Sequence, residues 1–282
     1  MQSSELTKTV AALLRDHDDE MVLPGAEIYS LRRGVVLLRG AFDPTQLEAA
    51  VDDAFARGER RTPHGAVQTG WYADATSKQL NYGTQRGRVY DSVETYGSNL
   101  VKLGANALFL AQTADIELPR GLDKVATHTL LVRYDEGSRG IAGHVDDAVI
   151  DGDNDAPIVS FNFGNTARFL YADMPWNRFL GVSMKDHGVR EVEMQHGDCI
   201  VWGGPARYLW HGIDKIQSGT MPAATRARLG LDEKGTRINA TFRCTPELIG
   251  REAEFQTVVK NKTPAEKRAA KRAREANAAA YA

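Results

Sequence analysis

Three side chains in this sequence are of types that together hold a redox metal. His144 and Asp146 lie two residues apart, so on an extended segment both leave the same face. His211 stands well downstream, in the run CIVWGGPARYLWHGI from Cys199 to Ile213. That run reads as a buried apolar strand, a Gly-Gly-Pro break and a second short aromatic strand, 208–211, that carries His211 to its end. A histidine beside Trp210 and followed by Gly212 is held rigidly and can be approached closely. Two histidines and one carboxylate are the ligand set of a non-haem iron(II) oxygenase, and they leave the opposite face of the metal's octahedron open for reactants. Each signal alone is modest: a lone His-x-Asp is more often a turn or surface pair, and a lone His211 a packed core histidine. His196, within His196-Gly197-Asp198, reads as a turn residue and not a ligand, and His17, His64, His128 and His187 have no partner pattern.

A second pattern fits the same chemistry. The stretch RINATFR alternates, placing Arg237, Asn239, Thr241 and Arg243 on one face of a strand and Ile238, Ala240 and Phe242 on the other. Two inward arginines on a core strand are costly unless an anion meets them, the alternative being salt bridges to Asp or Glu. An α-keto acid fills two open metal positions with its carboxylate and keto oxygens and leaves a third for dioxygen. If that acid is 2-oxoglutarate, its far carboxylate needs a cationic anchor, and the planar fork of Arg binds a carboxylate bidentately. Its oxidative decarboxylation gives succinate, carbon dioxide and an oxidant able to take hydrogen from an unactivated carbon–hydrogen bond. The protein's task is then positioning.

The elements that must do the positioning are legible in outline. Leu6, Val10, Leu13 and Leu14 have helical spacing over 4–16, and Pro24-Gly25 breaks the chain. Two apolar runs between Ile28 and Arg39, split by Arg32-Arg33-Gly34, read as a hairpin or a bulged strand. Asp43-Pro44 opens a helix with Asp43 as N-cap and Leu47, Val51, Ala54 and Phe55 as its buried stripe, ended by Gly58. A further helix spans 99–113. Residues 62–91 interleave Trp71, Tyr72, Tyr82 and Tyr90 with Lys78, Arg86 and Arg88, as in a lid that stacks a flat substrate or in hairpins that pack their aromatics on the core. From 127 the chain turns β-rich, with eight short strands at 129–134, 143–149, 158–163, 167–171, 189–194, 199–202, 208–211 and 237–243. Short strands joined by Gly, Asp and Asn turns predict a jelly roll, or double-stranded β-helix. The longer segments 172–188 and 214–236 read as active-site loops.

With 35 Lys and Arg against 37 Asp and Glu, global charge neither announces nor excludes a nucleic-acid partner. Cys199 and Cys244 fall in or beside core strands without a Cys-rich framework, which predicts buried free thiols and a reducing compartment. The first thirty residues hold no apolar leader and no stretch is long enough to cross a membrane, so a cytoplasmic protein is expected. Thr263-Pro264-Ala265-Glu266 caps an Ala-rich basic tail without an apolar stripe, expected to be helical or frayed and solvated.

Taken in order, Arg133-Tyr134, His144-x-Asp146, Ala156-Pro157-Ile158-Val159-Ser160, His196-Gly197-Asp198, Val201-Trp202-Gly203-Gly204, His211-Gly212-Ile213 and Arg237-x-Asn239-x-Thr241-Phe242-Arg243 are a specific series covering about 127–244. In this series the sequence resembles the AlkB family of iron(II)- and 2-oxoglutarate-dependent dioxygenases. Weaker likeness runs through Pro24-Gly25-Ala26 and Gly70-Trp71. The resemblance implies iron(II) held by His144, Asp146 and His211. It implies 2-oxoglutarate anchored at its distal carboxylate by Arg237 with Tyr134, Asn239 nearby and Arg243 near the metal-side carboxylate. It implies hydroxylation of an N-methyl group on a nucleobase followed by release of formaldehyde, with Trp71 and Tyr82 in a nucleotide-recognition lid. Two positions depart from the pattern. Val132 stands where the family commonly has Asn, and Ala148 stands where lesion-repairing members often carry an acid that helps hold a cationic methylated base. Strand alternation points Asp147 away from the metal face.

The expected molecule is α+β, mainly β: a jelly-roll core with N-terminal helices and a β-hairpin lid. Residues 1–256 are expected to form one dioxygenase domain (helices and lid 1–126, catalytic core 127–256) and 257–282 a basic helical or disordered tail. The expected activity is oxidative demethylation of alkylated nucleobases in DNA or RNA, with iron(II), 2-oxoglutarate and dioxygen. The alternatives are hydroxylation or demethylation of a small molecule or protein side chain at the same site, and a noncatalytic jelly-roll binding module, against which the ligand triad and both arginines argue. No membrane partner is expected, and a monomer is the default.

Overall fold

The computed structural model describes residues 25–57, 66–71, 88–89, 98–119, 128–134, 140–146, 157–173 and 188–243. Within them the strands are β1 (Glu27–Arg32), β2 (Val35–Arg39), β3 (Ala66–Trp71), β4 (Arg88–Val89), β5 (His128–Tyr134), β6 (Ile141–His144), β7 (Ile158–Gly164), β8 (Thr166–Ala172), β9 (Arg190–Met194), β10 (Cys199–Trp202), β11 (Trp210–Gln217) and β12 (Arg237–Arg243). The helices are α1 (Pro44–Arg57), α2 (Ser98–Ala114) and α3 (Ala223–Arg228), with a 3-10 turn at Gly204–Ala206. One sheet has the order β1-β2-β10-β7-β12-β5-β3-β4 and the other β6-β11-β8-β9.

Side-chain alternation divides the larger sheet into two faces. On the outer face Phe161, Ile238 and Phe242 join Val51 and Ala54 of α1 and Leu100 and Leu103 of α2 in one apolar core. Each of the Val, Leu, Ile and Phe side chains among them contributes about 1.5–3 kcal/mol of burial. Helix α2 approaches so closely that a Cβ on Gly104 would stand 2.7 Å from the Phe242 ring. On the inner face Leu37, Ile158, Ile200 and Trp202 meet Phe169, Tyr171 and Ile213 of the smaller sheet in a second core. Two mainly antiparallel layers closing on an apolar interior are the jelly roll expected from the strand pattern.

Local signals decide the element starts. The Asp43 carboxylate accepts from the Gln46 N–H at 2.9 Å, capping α1 as expected, and Val51, Ala54 and Phe55 are buried along its stripe. The β1–β2 hairpin is also bulged, its register shifting between Ser30 and Arg32. Gly34 turns it with φ +74°, and a Cβ there would meet the Gly203 carbonyl oxygen at 2.7 Å.

Four expectations are corrected. His211 is the second residue of β11, which runs on to Gln217. Strand β6 ends at His144, so Asp146 lies beyond the ladder. The segment 214–236 is not an active-site loop: it completes β11 and forms α3, whose Thr225 and Arg228 bond Glu48 and Asp52 on α1. Among the lid residues, β3 extends the large sheet antiparallel to β5 while β4 pairs with it parallel, so β3 and β4 are not the two arms of a tight hairpin. Expectations for 4–16, Gly58, Tyr82, 147–156, 174–187, Cys244 and 257–282 lie outside the described residues. Among those described, no helix is long and apolar enough to cross a membrane, and Cys199 is a buried free thiol.

The His196-Gly197-Asp198 turn forms as expected, with Gly197 at φ +83°. His196 is tucked under it: its Nδ1 accepts from the Gly164 N–H at 2.9 Å, so its proton sits on Nε2, which faces Glu48 at 3.5 Å. Burial pushes the imidazole below its usual pKa, and Glu48 opposes that only in part. A depressed folded pKa means that the unfolded chain binds the proton more readily. The resulting stability is fully present above the ordinary histidine value of about 6.5 and is lost as pH falls below it. His196→Asn keeps the acceptor toward Gly164, and the drop in urea midpoint between pH 7.5 and 5.5 should be smaller in this variant than in the wild type; an equal drop would show that His196 does not carry the dependence.

Candidate metal centre

Antiparallel pairing of β11 with β6 sets His211 directly opposite His144, with ring centroids 4.5 Å apart. Each imidazole is oriented through its far nitrogen: Nδ1 of His144 lies 2.9 Å from the Ala142 carbonyl oxygen, and Nδ1 of His211 lies 3.0 Å from that of Leu209. A carbonyl only accepts, so each Nδ1 carries a proton, and in the neutral ring that tautomer leaves the lone pair on Nε2. Those two Nε2 atoms and the Asp146 carboxylate lie within 4.8 Å of one another. Asp146 Oδ1 is 3.8 Å from His144 Nε2, and Oδ2 is 4.0 Å from His211 Nε2. These separations are too long for hydrogen bonds among the three groups.

The surroundings differ from one side to the other. His211 is walled by Phe169 and Trp202, with ring centroids at 5.8 and 4.8 Å, whereas His144 is half-buried and marks the open side. Asp146 follows the end of β6, and its backbone carbonyl accepts a 2.6 Å bond from Nη1 of the buried Arg207. Gly212 allows the two strands this close, since a Cβ there would stand 2.7 Å from the Ile141 carbonyl oxygen. Two neutral imidazole nitrogens and one carboxylate suit a divalent iron ion and leave the His144 side accessible.

On β12, Arg237 lies opposite Tyr134 of β5 and Gly164 of β7. Its side chain is 3% exposed, yet Nη1 has no hydrogen-bond partner. Nε donates to the Asn162 amide oxygen, and the guanidinium carbon sits 4.6 Å from the centre of the Tyr134 ring. Burial pushes the Arg237 pKa down, with Tyr134 pulling it back up. Burial likewise pushes the Tyr134 phenol up, and Arg237 pulls that down. Among the described residues no carboxylate pairs with Arg237, which removes the salt-bridge alternative there and leaves a buried cation fitted to an incoming anion. Asn239 is half-buried and turned into the sheet: its amide nitrogen donates to Ser160 Oγ at 2.7 Å and to the Phe161 carbonyl at 2.9 Å, while its oxygen accepts from Thr241. Arg243 takes its expected place on β12, opposite His128 and Ile158. Val132 lies across from Asn239. Trp71 ends β3 beside Leu130 of β5.

Two residues of this neighbourhood carry little signal in the sequence. Asn162 stands on a strand flanked by Phe161 and Phe163, and the polar alternation of Ser160 and Asn162 there is its only sequence signal. Arg207 follows the Gly-Gly-Pro break and carries no periodic signal at all.

A family model described as the 2OG-Fe(II) oxygenase superfamily matches residues 34–243. The chain belongs to that superfamily. The relatives it matches bear AlkB and ALKBH names. The DNA N(6)-methyladenine demethylase ALKBH1C of Arabidopsis thaliana is 33% identical over 88 residues, which are 31% of this chain and 17% of that protein. The alpha-ketoglutarate-dependent dioxygenase AlkB of Salmonella typhimurium (strain LT2) is 34% identical over 76 residues, 27% of this chain and 31% of that protein. The matched stretches thus span less than a third of these relatives. The structure of OsALKBH1 shares the fold, with a TM-score of 0.56 at 21% identity over 77% of this chain and 99% of that one.

Since Gly212 sets the spacing between the histidine strands, Gly212→Ala should push β6 from β11 and weaken iron(II) binding by roughly 10- to 100-fold, the range for disturbed ligand support. Metal titration against circular dichroism checks this. Unchanged affinity in a fully folded variant would show that the close approach does not set the site.

Proposed function

We propose that this chain is an iron(II)- and 2-oxoglutarate-dependent dioxygenase that oxidatively demethylates alkylated nucleobases in DNA or RNA, with iron(II) held by His144, Asp146 and His211. The observation that carries the reading is the pairing of three convergent ligand atoms with a buried arginine whose Nη1 is unspent. Arg237, with Tyr134 against its face, binds the distal carboxylate of 2-oxoglutarate, and Asn239 and Arg243 on the same strand serve the same cosubstrate. The substrate class is supported by the names of the relatives, a DNA N(6)-methyladenine demethylase and AlkB. Trp71 and Tyr82 are assigned to base recognition.

Bound together, iron(II), 2-oxoglutarate and dioxygen supply the oxidant for hydroxylating an N-methyl group. The chain's own part is positional. The two Nδ1–H bonds to backbone carbonyls keep both imidazoles turned so that Nε2 faces the metal position. Phe169 and Trp202 shield His211 from water. Arg237 would hold the cosubstrate by its far carboxylate and so limit its freedom to turn. Once the methyl group carries a hydroxyl, the hemiaminal loses formaldehyde and leaves the unmodified base.

We further infer one catalytic unit over 1–256 with a separate basic tail, 257–282, in a monomeric, cytoplasmic protein. The buried free thiol of Cys199 supports the reducing compartment. Truncation after Gln256 should leave iron-dependent turnover intact and lower at most nucleic-acid affinity; lost turnover would place the tail in the catalytic unit.

Anaerobic addition of iron(II) and 2-oxoglutarate should give a metal-to-ligand charge-transfer band in the visible spectrum that His144→Ala abolishes. Absence of the band in the wild type would sink the proposed site. Formaldehyde release from methylated single- or double-stranded oligonucleotides supports the nucleobase reading, whereas succinate formation with small metabolites or peptides alone moves the substrate to those classes.

A further inference from the structure

We propose that Asn162 is the positioning residue of the cosubstrate anchor: its neutral side-chain amide fixes the plane of the Arg237 guanidinium while leaving that group's charge unspent. This rests on the reading of Arg237 as the partner of the distal carboxylate.

Asn162 lies in the interior of β7 and is fully buried. A buried amide is costly unless its bonds are made, and this one makes them at both ends. Its Oδ1 accepts from Arg237 Nε, and its Nδ2 donates to the Asn165 carbonyl at 3.0 Å and to the Gln195 carbonyl at 3.1 Å. The partners fix the orientation of the amide. A guanidinium only donates and a carbonyl only accepts, so the flipped amide would set donor against donor and acceptor against acceptor.

The guanidinium is a rigid plane. Holding Nε at one edge, with Tyr134 against the face at 4.6 Å, leaves it little freedom to turn. The atom left without a partner is Nη1, buried and available to a carboxylate oxygen. A carboxylate in place of Asn162 would also orient Nε, but it would pair with the cation and consume the charge meant for the cosubstrate. The amide orients without neutralising.

The amide is anchored through its own backbone as well. The Asn162 N–H donates to the Asp198 carbonyl at 2.9 Å, and the Gly197 N–H donates to the Asn162 carbonyl at 2.8 Å. Asp198 is itself buried, with its carboxylate gripping Arg39 at 2.7 Å and the Gln195 N–H at 2.8 Å. The His196-Gly197-Asp198 turn supplies no metal ligand, but through Asn162 it reaches the anion end of the site.

The test is a double-mutant cycle on the full chain loaded with Mn(II), reading calorimetric Kd values for 2-oxoglutarate and, separately, for Mn(II). Asn162→Ala, Arg237→Ala and the double variant are compared, with Asn162→Ser as a second single variant if the alanine form does not fold. Asn162→Ala should weaken 2-oxoglutarate roughly tenfold or more, the scale of a lost charge-assisted bond, and leave Mn(II) affinity unchanged. The double variant should bind 2-oxoglutarate no more weakly than Arg237→Ala. Unchanged 2-oxoglutarate affinity in Asn162→Ala or Asn162→Ser, a loss fully additive with that of Arg237→Ala, or an equal loss of Mn(II) affinity would each overturn the proposal. If Arg237→Ala leaves the 2-oxoglutarate Kd unchanged, the reading of the anchor fails, and this inference falls with it.

Discussion

The structure depends on one constraint: successive side chains of a strand point to opposite sides, and the large sheet must use both. Strand β12 shows it most plainly. Ile238 and Phe242 are the means by which the sheet buries α1 and α2, while Arg237, Asn239 and Thr241 on the alternate positions face the interior of the jelly roll. Neighbouring β7 does the same with Phe161 and Phe163 outward and Ser160 and Asn162 inward. The apolar face stabilises the layer, and because it is large and well packed, the opposite face can carry groups that would be ruinous in an ordinary core.

Those inward polar groups are tolerated because they are made to satisfy one another. Asn239, Ser160 and Thr241 form one closed set of hydrogen bonds, and Asn162 ties Arg237 to two loop carbonyls. Among the described residues of this polar set, Arg237 Nη1 is a donor left without a hydrogen bond. On the smaller sheet the same economy operates with the opposite sign: Nδ1 of each histidine is spent on a carbonyl so that Nε2 is not. One end of the interior is short of an anion and the other offers lone pairs, a complementarity that suits a dicarboxylate gripping a cation.

Much of this was legible because it follows from residue type and period. The His144-x-Asp146 spacing and the alternation along Arg237–Arg243 rest on short-range geometry, His211 joined them through its residue type and its place before a glycine, and the structure does bring His144, Asp146 and His211 together. What escaped was decided by partners distant in sequence. After Ile213 the chain turns polar and looks like a loop, yet Asp214 pairs with Arg168 on β8, and Gln217 bonds Glu193 on β9, so a polar stretch remains a strand. Helix α3 is too short to show a period and is tied to α1 by Arg228. The parallel pairing of β4 with β3 has no local signal. Asn162 hid because an isolated polar residue between two phenylalanines gains its meaning only from Arg237, a whole layer of topology later.

The register pair His211–His144 joins strands between which β7, β8, β9 and β10 are threaded, some of them in the other sheet. Closing so long a loop is entropically expensive until the intervening strands have formed. The arrangement differs from small zinc modules, whose ligands are close neighbours in sequence and whose apo chains stay unfolded. In this protein the two apolar cores, and not the ligand set, span the strands threaded between His144 and His211.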